Sequence, residues 1–282
     1  MKLKFLFFIP AFCFTFVFKT NAQYKLCGTE VTKAQIEAEK AKLANPNQVQ
    51  FAPINCFGKT LSLTIHVVSD SLGNYNLSMA TLQAAIQTLN SNFAPICLSF
   101  QICTIDSIKN YKYDRYLKPI EEAELLALYY IPKTINIYFA ATVEITPGNT
   151  VGGYAYFPGG PDFIIISKGA AGSIKTISHE MGHFFGLYHT FETSFGNELA
   201  DGSNCSTSGD LICDTPADPG LSNSPSPICN LSPGAQDPNG QWYVPNIGNI
   251  MSYYSDDCTC GFTTDQYNKM ASNYLSSRFY LW

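Results

Sequence analysis

Apolar and polar positions alternate along this chain with two periods, and each period predicts one type of element. Residues 78–94 carry apolar side chains at spacings of three and four, which predicts an amphipathic helix with one buried stripe. The stripe consists of Met79, Leu82, Ile86, Leu89 and Phe93. Residues 61–68, Leu-Ser-Leu-Thr-Ile-His-Val-Val, are β-branched and apolar, which is typical of a buried strand and marks the start of a domain.

Three more strands and a second helix complete an α/β order of elements. The strands are predicted at 97–104, 134–142 and 163–167, and the helix lies near 173–186. Strand, helix, strand and then further strands before a helix is the order expected of an α/β fold.

The C-terminal third of the chain has a different pattern. Beyond His189, residues 190–250 are rich in Gly, Pro, Ser, Asn and Cys, which indicates long loops stapled by disulfides. A last helix is predicted from about Thr264, because Thr263 and Gln266 have the spacing of a capping box.

The N-terminal residues fit a cleaved secretory signal, residues 1–22. Met-Lys-Leu-Lys precedes a Phe-rich apolar run over 5–18, and Thr20-Asn21-Ala22 supplies the small residues of a cleavage site. The run is shorter than the about 20 residues that a spanning helix needs. An uncleaved anchor is the alternative. Cleavage predicts a secreted protein, extracellular or periplasmic, with no membrane span in the mature chain.

Charge argues against a nucleic-acid partner. The formal net charge is −5, and no cluster of Lys and Arg follows the first residues. Charged residues make up 14% of the chain, well below the usual share of about 25%, and this composition suits an extracellular protein. The oligomeric state does not follow from the sequence.

The cysteine count is odd once the signal is removed. The chain has 10 cysteines, and the loss of Cys13 leaves nine. An odd number in an oxidising compartment implies at least one thiol with a different role or an external partner.

One stretch, residues 179–189, carries the chemistry of a metal site. His179 and His183 are four residues apart, so on a helix both can reach one Zn²⁺. Glu180 stands beside the metal, where it can take a proton from a water as general base. A bare His-Glu-x-x-His also occurs by chance on amphipathic helices, but here a third histidine follows.

The third predicted ligand, His189, requires the helix to stop. A continuing helix would carry it about 9 Å beyond His183. Gly186 supplies a residue that can adopt a positive φ at such a stop, so the chain can turn back to the metal. Three imidazoles leave one tetrahedral position open, as in catalytic zinc sites. The fourth histidine, His66, lies in an apolar strand and is interpreted as a hydrogen-bonded core residue.

An ordered set of motifs resembles the pappalysin family of metzincin zinc proteases. Residues 179–189 resemble the metzincin zinc motif, and Asn249-Ile250-Met251-Ser252-Tyr253 resembles the Met-turn beneath the metal. Gly-Asp-Leu-Ile-Cys-Asp-Thr-Pro (209–216) lies between them, and Phe-Thr-Thr-Asp-Gln (262–266) follows. The resemblance covers most of the chain from Leu61 onward.

This resemblance implies a metzincin-like α/β fold and a domain plan. The fold has a twisted, mostly parallel sheet, an active-site helix and a loop-rich, disulfide-stapled C-terminal subdomain ending in a helix. Residues 23–58 become a pro-segment and 59–282 a metalloprotease catalytic domain. The catalytic domain divides into 59–189 and 190–282.

Further roles are implied by similarity. Tyr253 would hydrogen-bond the oxyanion, although a packed aromatic is an equal alternative. Asp257 would line the S1′ pocket and favour cleavage before Arg or Lys, with a solvated loop carboxylate as the alternative. By analogy, Tyr154–Ile166 would form the edge strand on which an extended peptide binds.

The resemblance also assigns the cysteines. Lys25-Leu26-Cys27-Gly28-Thr29 resembles the cysteine motif of pappalysin pro-segments, so Cys27 would bind zinc in a latent form and account for the odd count. A Lys stands where the family usually has Arg before this motif. The implied disulfides are Cys205–Cys229 and Cys213–Cys258, with Cys97–Cys103 and Cys56–Cys260 left over.

Calcium is a second cofactor implied by the family. Asp201, Asp210 and Asp214 offer oxygen ligands in a Gly-rich region, and solvated loop carboxylates are the alternative.

The resulting expectation is a secreted zinc endopeptidase that is made as a latent zymogen and acts on proteins or peptides. Two alternatives stay open. One is a secreted metzincin-like binding module with a non-catalytic zinc, and the other is a zinc hydrolase of non-peptide amides.

Overall fold

A mostly parallel sheet of eight strands forms the frame of the protein in the computed structural model, which describes residues 25–44, 56–220, 229 and 234–281. The strands, β1 to β8 in chain order, are Lys25–Cys27, Lys59–Val68, Leu98–Ile108, Arg115–Leu117, Ile135–Ala140, Thr142–Thr146, Asn149–Ala155 and Phe163–Ser167. They run in the order β3-β2-β5-β8-β7-β6-β4, and β1 pairs with β7. The pairs β6–β7 and β7–β8 are antiparallel, and the other described pairs are parallel. The expected mostly parallel α/β sheet is therefore confirmed.

Five α-helices accompany the sheet in the part of the chain that the structure describes. They are α1 Lys33–Leu43, α2 Met79–Phe93, α3 Lys118–Tyr129, α4 Thr176–Phe184 and α5 Thr264–Asn273. The predicted helix over 78–94 is confirmed as α2, and the predicted capping box closes the start of α5, with Thr263 and Gln266 bonded reciprocally. Helix α3 was not predicted, although Pro119 in its first turn and the apolar spacing around buried Leu125 are helix signals.

Helices cover both faces of the sheet. On one face, α2 and α4 bury Leu89 and Met181 against the strands, in a cluster that also contains Met270 of α5. On the other face, Leu125 of α3 packs in a second cluster with strand residues such as Val143. Leu63 and Ile65 of the predicted strand β2 belong to the first cluster, and Val68 at its end belongs to the second.

Strand β1 pairs with one edge of β7. Gly153 pairs with Ile166 of β8 and also with Cys27 of β1. A strand has two edges, so β1 lies on the edge of β7 opposite to β8. The prediction of one edge strand over Tyr154–Ile166 is therefore wrong. The turn Pro-Gly-Gly-Pro at 158–161 splits it into β7 and the interior strand β8.

A buried arginine ties the C-terminal turn to the centre of the fold. After α5, a π-helical turn over Tyr274–Arg278 places Arg278 at 0% exposure, where it pairs with Asp162. Its Nε donates to the Phe184 carbonyl over 2.9 Å, and its Nη2 donates to the carbonyl of Tyr156 over 2.9 Å. The last turn of the chain thereby joins the end of α4 to the loop after β7.

The disulfide pairs differ from the predicted ones. The structure contains Cys56–Cys97, Cys205–Cys213 and Cys229–Cys258. The predicted pairs Cys205–Cys229 and Cys213–Cys258 use the same four cysteines and are wrong in partner choice. A turn-rich loop brings the Cα atoms of 205 and 213 to 5.0 Å, and four cysteines allow three pairings that sequence alone does not distinguish.

The two pairs assigned by elimination are also wrong. Strand β3 extends from residue 98, which separates Cys97 from Cys103 by about 20 Å, far more than a disulfide spans. Cys97 instead faces Cys56, with Cα atoms 4.8 Å apart. Cys103 and Cys260 are free thiols together with Cys27.

His66 is a core residue, as interpreted from the sequence. Its Nδ1 lies 3.0 Å from Asp106 Oδ2, its Nε2 lies 3.1 Å from Asn136 Oδ1, and its ring stacks on Tyr138. Within the described ranges, no helix combines the length and apolarity needed to cross a bilayer. The predicted signal, residues 1–22, lies outside those ranges.

Candidate metal centre and active site

Helix α4 carries two of the predicted metal-binding histidines. It ends before Gly186, where the chain must turn back for the third histidine to reach the other two. His179 and His183 lie one turn apart and are buried. Gly186 has a φ of 92°, its N–H donates to the His183 carbonyl, and the N–H of Leu187 donates to the Gly182 carbonyl. These two bonds form a Schellman motif, which ends the helix and reverses the chain.

Three imidazole nitrogens converge at one point. The Nε2 atoms of His179, His183 and His189 are 3.1–3.3 Å apart. The Nδ1 atoms of His179 and His183 each lie 2.7 Å from a backbone carbonyl, of Ile250 and Leu187. Each Nδ1 therefore carries the proton, and the unprotonated Nε2 lone pairs face one another.

That arrangement fits a tetrahedral metal ion. Ligand nitrogens about 2.0–2.1 Å from a zinc ion are about 3.3 Å apart in a tetrahedron, which matches the distances between these Nε2 atoms. Burial is the main cause that lowers the pKa of His179 and His183, so both rings stay neutral and able to bind a cation. The carbonyl partners fix each ring's orientation, as second-shell groups do in metal sites.

Cys27 completes the group from the N-terminal segment. Its Sγ and the three histidine nitrogens all lie within 4.8 Å of one another, and all four residues are buried. Burial, and then the Glu180 carboxylate, raise the pKa of the Cys27 thiol. A thiolate in this position is therefore favourable only beside a cation.

Glu180 is fully buried next to this group. Burial raises the pKa of Glu180 to about 8, against hydrogen bonds from Cys27 and Thr29 that lower it. Its Oε2 lies 3.5 Å from Cys27 Sγ, while its Oε1 is buried without a hydrogen-bond partner. A Cβ on Gly153 would lie 3.3 Å from Glu180 Cγ and 2.7 Å from the Ile165 carbonyl, so a glycine lets β7 approach this carboxylate.

The Met-turn residues lie under the histidines. Met251 is fully buried, and its Sδ occupies the space that a side chain at Gly182 would need, 2.5 Å from an ideal Cβ there. Ile250, one residue earlier, holds the ring of His179 through its carbonyl. The structure therefore brings the predicted Met-turn against the middle of the predicted metal-binding helix.

Tyr253 lies above the histidines and faces the N-terminal segment. Its ring centroid is 5.0 Å from that of His189, and its hydroxyl donates to the Cys27 carbonyl over 3.2 Å. Burial raises the pKa of Tyr253, so the hydroxyl stays protonated and able to donate. This hydroxyl already binds a peptide carbonyl beside the metal site.

Thr29 is a contact that the sequence analysis did not assign. Its Oγ1 lies 3.4 Å from Glu180 Oε2, accepts from the Ala155 N–H over 3.0 Å and lies 3.3 Å from the Ala155 carbonyl. The N–H of Gly28 donates to the Gly153 carbonyl over 2.8 Å. One short segment thus covers the metal ligands, the carboxylate and the edge of β7. The only available sequence signal was the position of Thr29 two residues after Cys27.

Asp257 lies on the surface beside the Met-turn. It is exposed within the short 3₁₀ turn Asp256–Cys258. Lys175 is buried nearby and donates to the Tyr254 carbonyl over 3.1 Å. Burial lowers the pKa of Lys175 to about 8, against the charges of Asp256 and Asp218.

The three predicted calcium ligands do not converge. Asp210 is buried and accepts hydrogen bonds from Thr215, whereas Asp214 accepts from Thr263 and Asp265 at the start of α5. Among the described residues, the cluster suited to a metal contains Cys27 and the three histidines and none of these aspartates. A role of Asp214 at a helix N-terminus explains its position without calcium.

Comparison with known proteins agrees with this site. The family model Peptidase_M43, described as Pregnancy-associated plasma protein-A, matches residues 163–275. A protein of Pyricularia oryzae named extracellular metalloprotease is 34% identical over 242 residues, which cover 78% of this chain and 76% of that protein. A protein of Colletotrichum graminicola with the same name is 30% identical over 280 residues, covering 89% and 87% of the two chains.

Among solved structures, archaemetzincin from Methanopyrus kandleri matches with a TM-score of 0.41 and 13% identity, covering 76% of this chain and 95% of that one. The sequence relatives are closer, and the residues matched by the family model include the three histidines, Glu180 and Met251. With this identity and coverage, the chain belongs to the pappalysin family of metalloproteases.

Proposed function

We propose that the protein is a secreted zinc-dependent endopeptidase that is made as a latent zymogen. The observation that carries the proposal is the convergence of three histidine Nε2 atoms beside a buried carboxylate, with a cysteine from the N-terminal segment on the fourth side. Residues 23–58 act as the pro-segment in this proposal, and 59–282 form the catalytic domain.

His179, His183 and His189 hold the metal, and Glu180 is the general base. When bound, zinc supplies Lewis acidity to the scissile carbonyl and to the attacking water. Glu180 takes the proton from that water and returns it to the leaving nitrogen, so no covalent intermediate forms.

Tyr253 stabilises the oxyanion in this mechanism. Its hydroxyl donates to the Cys27 carbonyl, which occupies the place of a peptide carbonyl next to the histidines. Once the segment leaves, the same hydroxyl is available for the developing negative charge of the substrate.

Latency follows from what the pro-segment covers. Cys27 takes the remaining metal position, Thr29 contacts the general base, and β1 occupies the edge of β7 on which an extended substrate binds. The relatives named extracellular metalloproteases, the three disulfides and the predicted signal support secretion.

Substrate preference is assigned to Asp257. This carboxylate is exposed beside the Met-turn, whereas the charge of its neighbour Asp256 already acts on Lys175. A free carboxylate near the site favours Arg or Lys after the scissile bond.

The test uses the full chain with a specific protease site inserted within residues 45–55, cut after folding. Cleavage of a peptide library before Arg or Lys is expected, and it should be lost with a zinc chelator and in Glu180→Gln. Asp257→Asn should lower the preference for Arg and Lys about tenfold, while Asp256→Asn serves as the matched comparison.

Other outcomes separate the alternatives. Zinc bound without cleavage of any peptide would favour a binding module with a non-catalytic metal. Turnover of small amides but not of peptides would favour a non-peptide hydrolase.

A further inference from the structure

An apolar patch lies beside the metal centre on the side towards which β7 runs. It consists of Phe157, Tyr188, Phe195 and Leu211. The ring centroids of Phe157 and Tyr188 are 5.2 Å apart, and those of Tyr188 and Phe195 are 5.0 Å apart. The patch is separate from the two main core clusters.

The patch is continuous with the active site. Phe157 lies two residues after the end of β7, and its ring centroid is 5.5 Å from that of the metal ligand His183. A peptide that pairs with β7 and extends beyond Ala155 therefore passes directly over the patch.

The pro-segment shows how a peptide reaches the patch. In an extended chain, alternate residues point to the same side. Cys27 faces the histidines, Thr29 faces Glu180 and Ala155, and Val31 packs against the patch, while Glu30 is exposed. The spacing from the metal to the patch is thus about four residues of extended peptide.

The helix α1 adds a second anchor on the same patch. Ile36 packs against it, although no residue of α1 is fully buried. Glu39, one turn later, acts electrostatically on Tyr188 and on Lys269, whose Nζ lies 4.4 Å from the Tyr188 ring centroid. The amine of Lys269 therefore lies at the border of the apolar patch.

We propose that this patch is a substrate subsite, which takes an aliphatic or aromatic side chain about four residues from the one at the metal, and that Val31 and Ile36 occupy it in the latent form. The proposal rests on the proposed peptidase function. It adds a second specificity determinant, which is distinct from Asp257 and depends mainly on apolar contacts.

The experiment measures binding and cleavage separately. A labelled peptide of residues 25–44 with Cys27→Ser is titrated against the cut full chain carrying Glu180→Gln, freed of its own pro-segment. Ile36→Ala in the peptide and Leu211→Asn in the protein should each weaken binding about fivefold, as loss of about half of a buried aliphatic side chain predicts. Leu211 has a φ of 65°, a conformation that Asn adopts readily, so this variant should fold.

Cleavage is then profiled with peptides that vary three to five residues from the scissile bond on both sides. The cut protein should prefer Ile, Leu or Phe over Asp on one side by about fivefold, and Leu211→Asn should remove that preference. The control Leu72→Asn changes a leucine that is 85% exposed in a turn and should leave the preference intact.

The two proposals fail in different ways. Cleavage with no apolar preference, or with the same preference in Leu211→Asn, overturns the subsite and leaves the peptidase standing. Absence of cleavage together with binding that depends on Ile36 and Leu211 overturns the peptidase and supports the patch as a peptide-binding site.

Discussion

At the scale of single residues, three glycines decide how closely the elements around the metal approach. The absence of a side chain at Gly153 leaves room for Glu180, and its absence at Gly182 leaves room for Met251. Gly186 ends α4. The sequence predicted the third role, because the stop is required by the distance between two histidines along one helix. The first two depend on contacts between distant segments, which no local pattern contains.

Replacing Gly186 by Ala should lower the free energy of unfolding by about 2–4 kcal/mol. A Cβ there would force a left-handed φ of 92° on alanine and would collide with the Asn273 side chain. Denaturant titration checks this, with Gly172→Ala as the control, since a Cβ at Gly172 meets nothing within 4 Å. Equal stability of the two variants would contradict the assignment of Gly186 as an obligatory C-cap.

Replacing Thr29 by Val should weaken the hold of the pro-segment. The isosteric change removes the hydroxyl contacts with Glu180 and Ala155, which are buried. Affinity of a peptide of residues 25–44 for the cut protein should fall about tenfold, and activity of the uncut chain should rise. Thr29→Ser keeps the hydroxyl and should behave like the native residue, so equal effects of Val and Ser would rule out these bonds.

At the scale of elements, the end of the chain holds the active-site helix in place. Arg278 stacks on the ring of Phe184, bonds the Phe184 carbonyl and pairs with Asp162, all in the interior. Tyr130 and Tyr280 also donate to Asp162. The C-terminal turn thus acts as a clamp on α4 and the loop after β7.

Replacing Arg278 by Met should destabilise the fold by about 3–5 kcal/mol, because Asp162 stays buried without its cation. Thermal or denaturant unfolding measures the loss. Arg115→Met, at an exposed position of β4, is the control, and a similar loss there would show that the clamp has no special role.

Elements with a strong period were predictable, and those defined by pairing were not. The stripe of α2 and the apolar run of β2 gave their positions, whereas α3 was missed and Tyr154–Ile166 was taken as one strand. The disulfide partners were predicted wrongly for the same reason as the strand neighbours. Both are set by which distant segments meet, and family similarity did not supply that for Cys205 and Cys213.

At the scale of the whole molecule, the proposed metal site would couple metal binding to folding. The three ligands come from α4 and the reversed chain after it, and the Met-turn supports them from about sixty residues later in sequence. A chain that binds zinc only when folded gains stability by mass action. Metal binding at the proposed site would therefore report on the folding of both the helix α4 region and the Met-turn.

Removing the metal should lower the melting temperature, and added zinc should restore it in proportion to the logarithm of its free concentration. His183→Ala should melt like the metal-free protein and not respond to zinc. Glu180→Gln should keep the zinc response while losing activity, which separates metal binding from catalysis. A melting temperature independent of zinc in the native chain would contradict the assigned ligand set.

In the proposed latent form, the attachment of the pro-segment has a kinetic consequence. Residues 25–44 contact the site, and residues 45–55 join them in sequence to the proposed catalytic domain. While that link is intact, the inhibitor faces its site at an effective concentration of about millimolar. After a single cut, rebinding of the pro-segment to its site is bimolecular. Concentrated protein therefore stays inactive after the cut, and dilution makes it active. Escape from a crowded compartment into a large volume would then be the second half of activation.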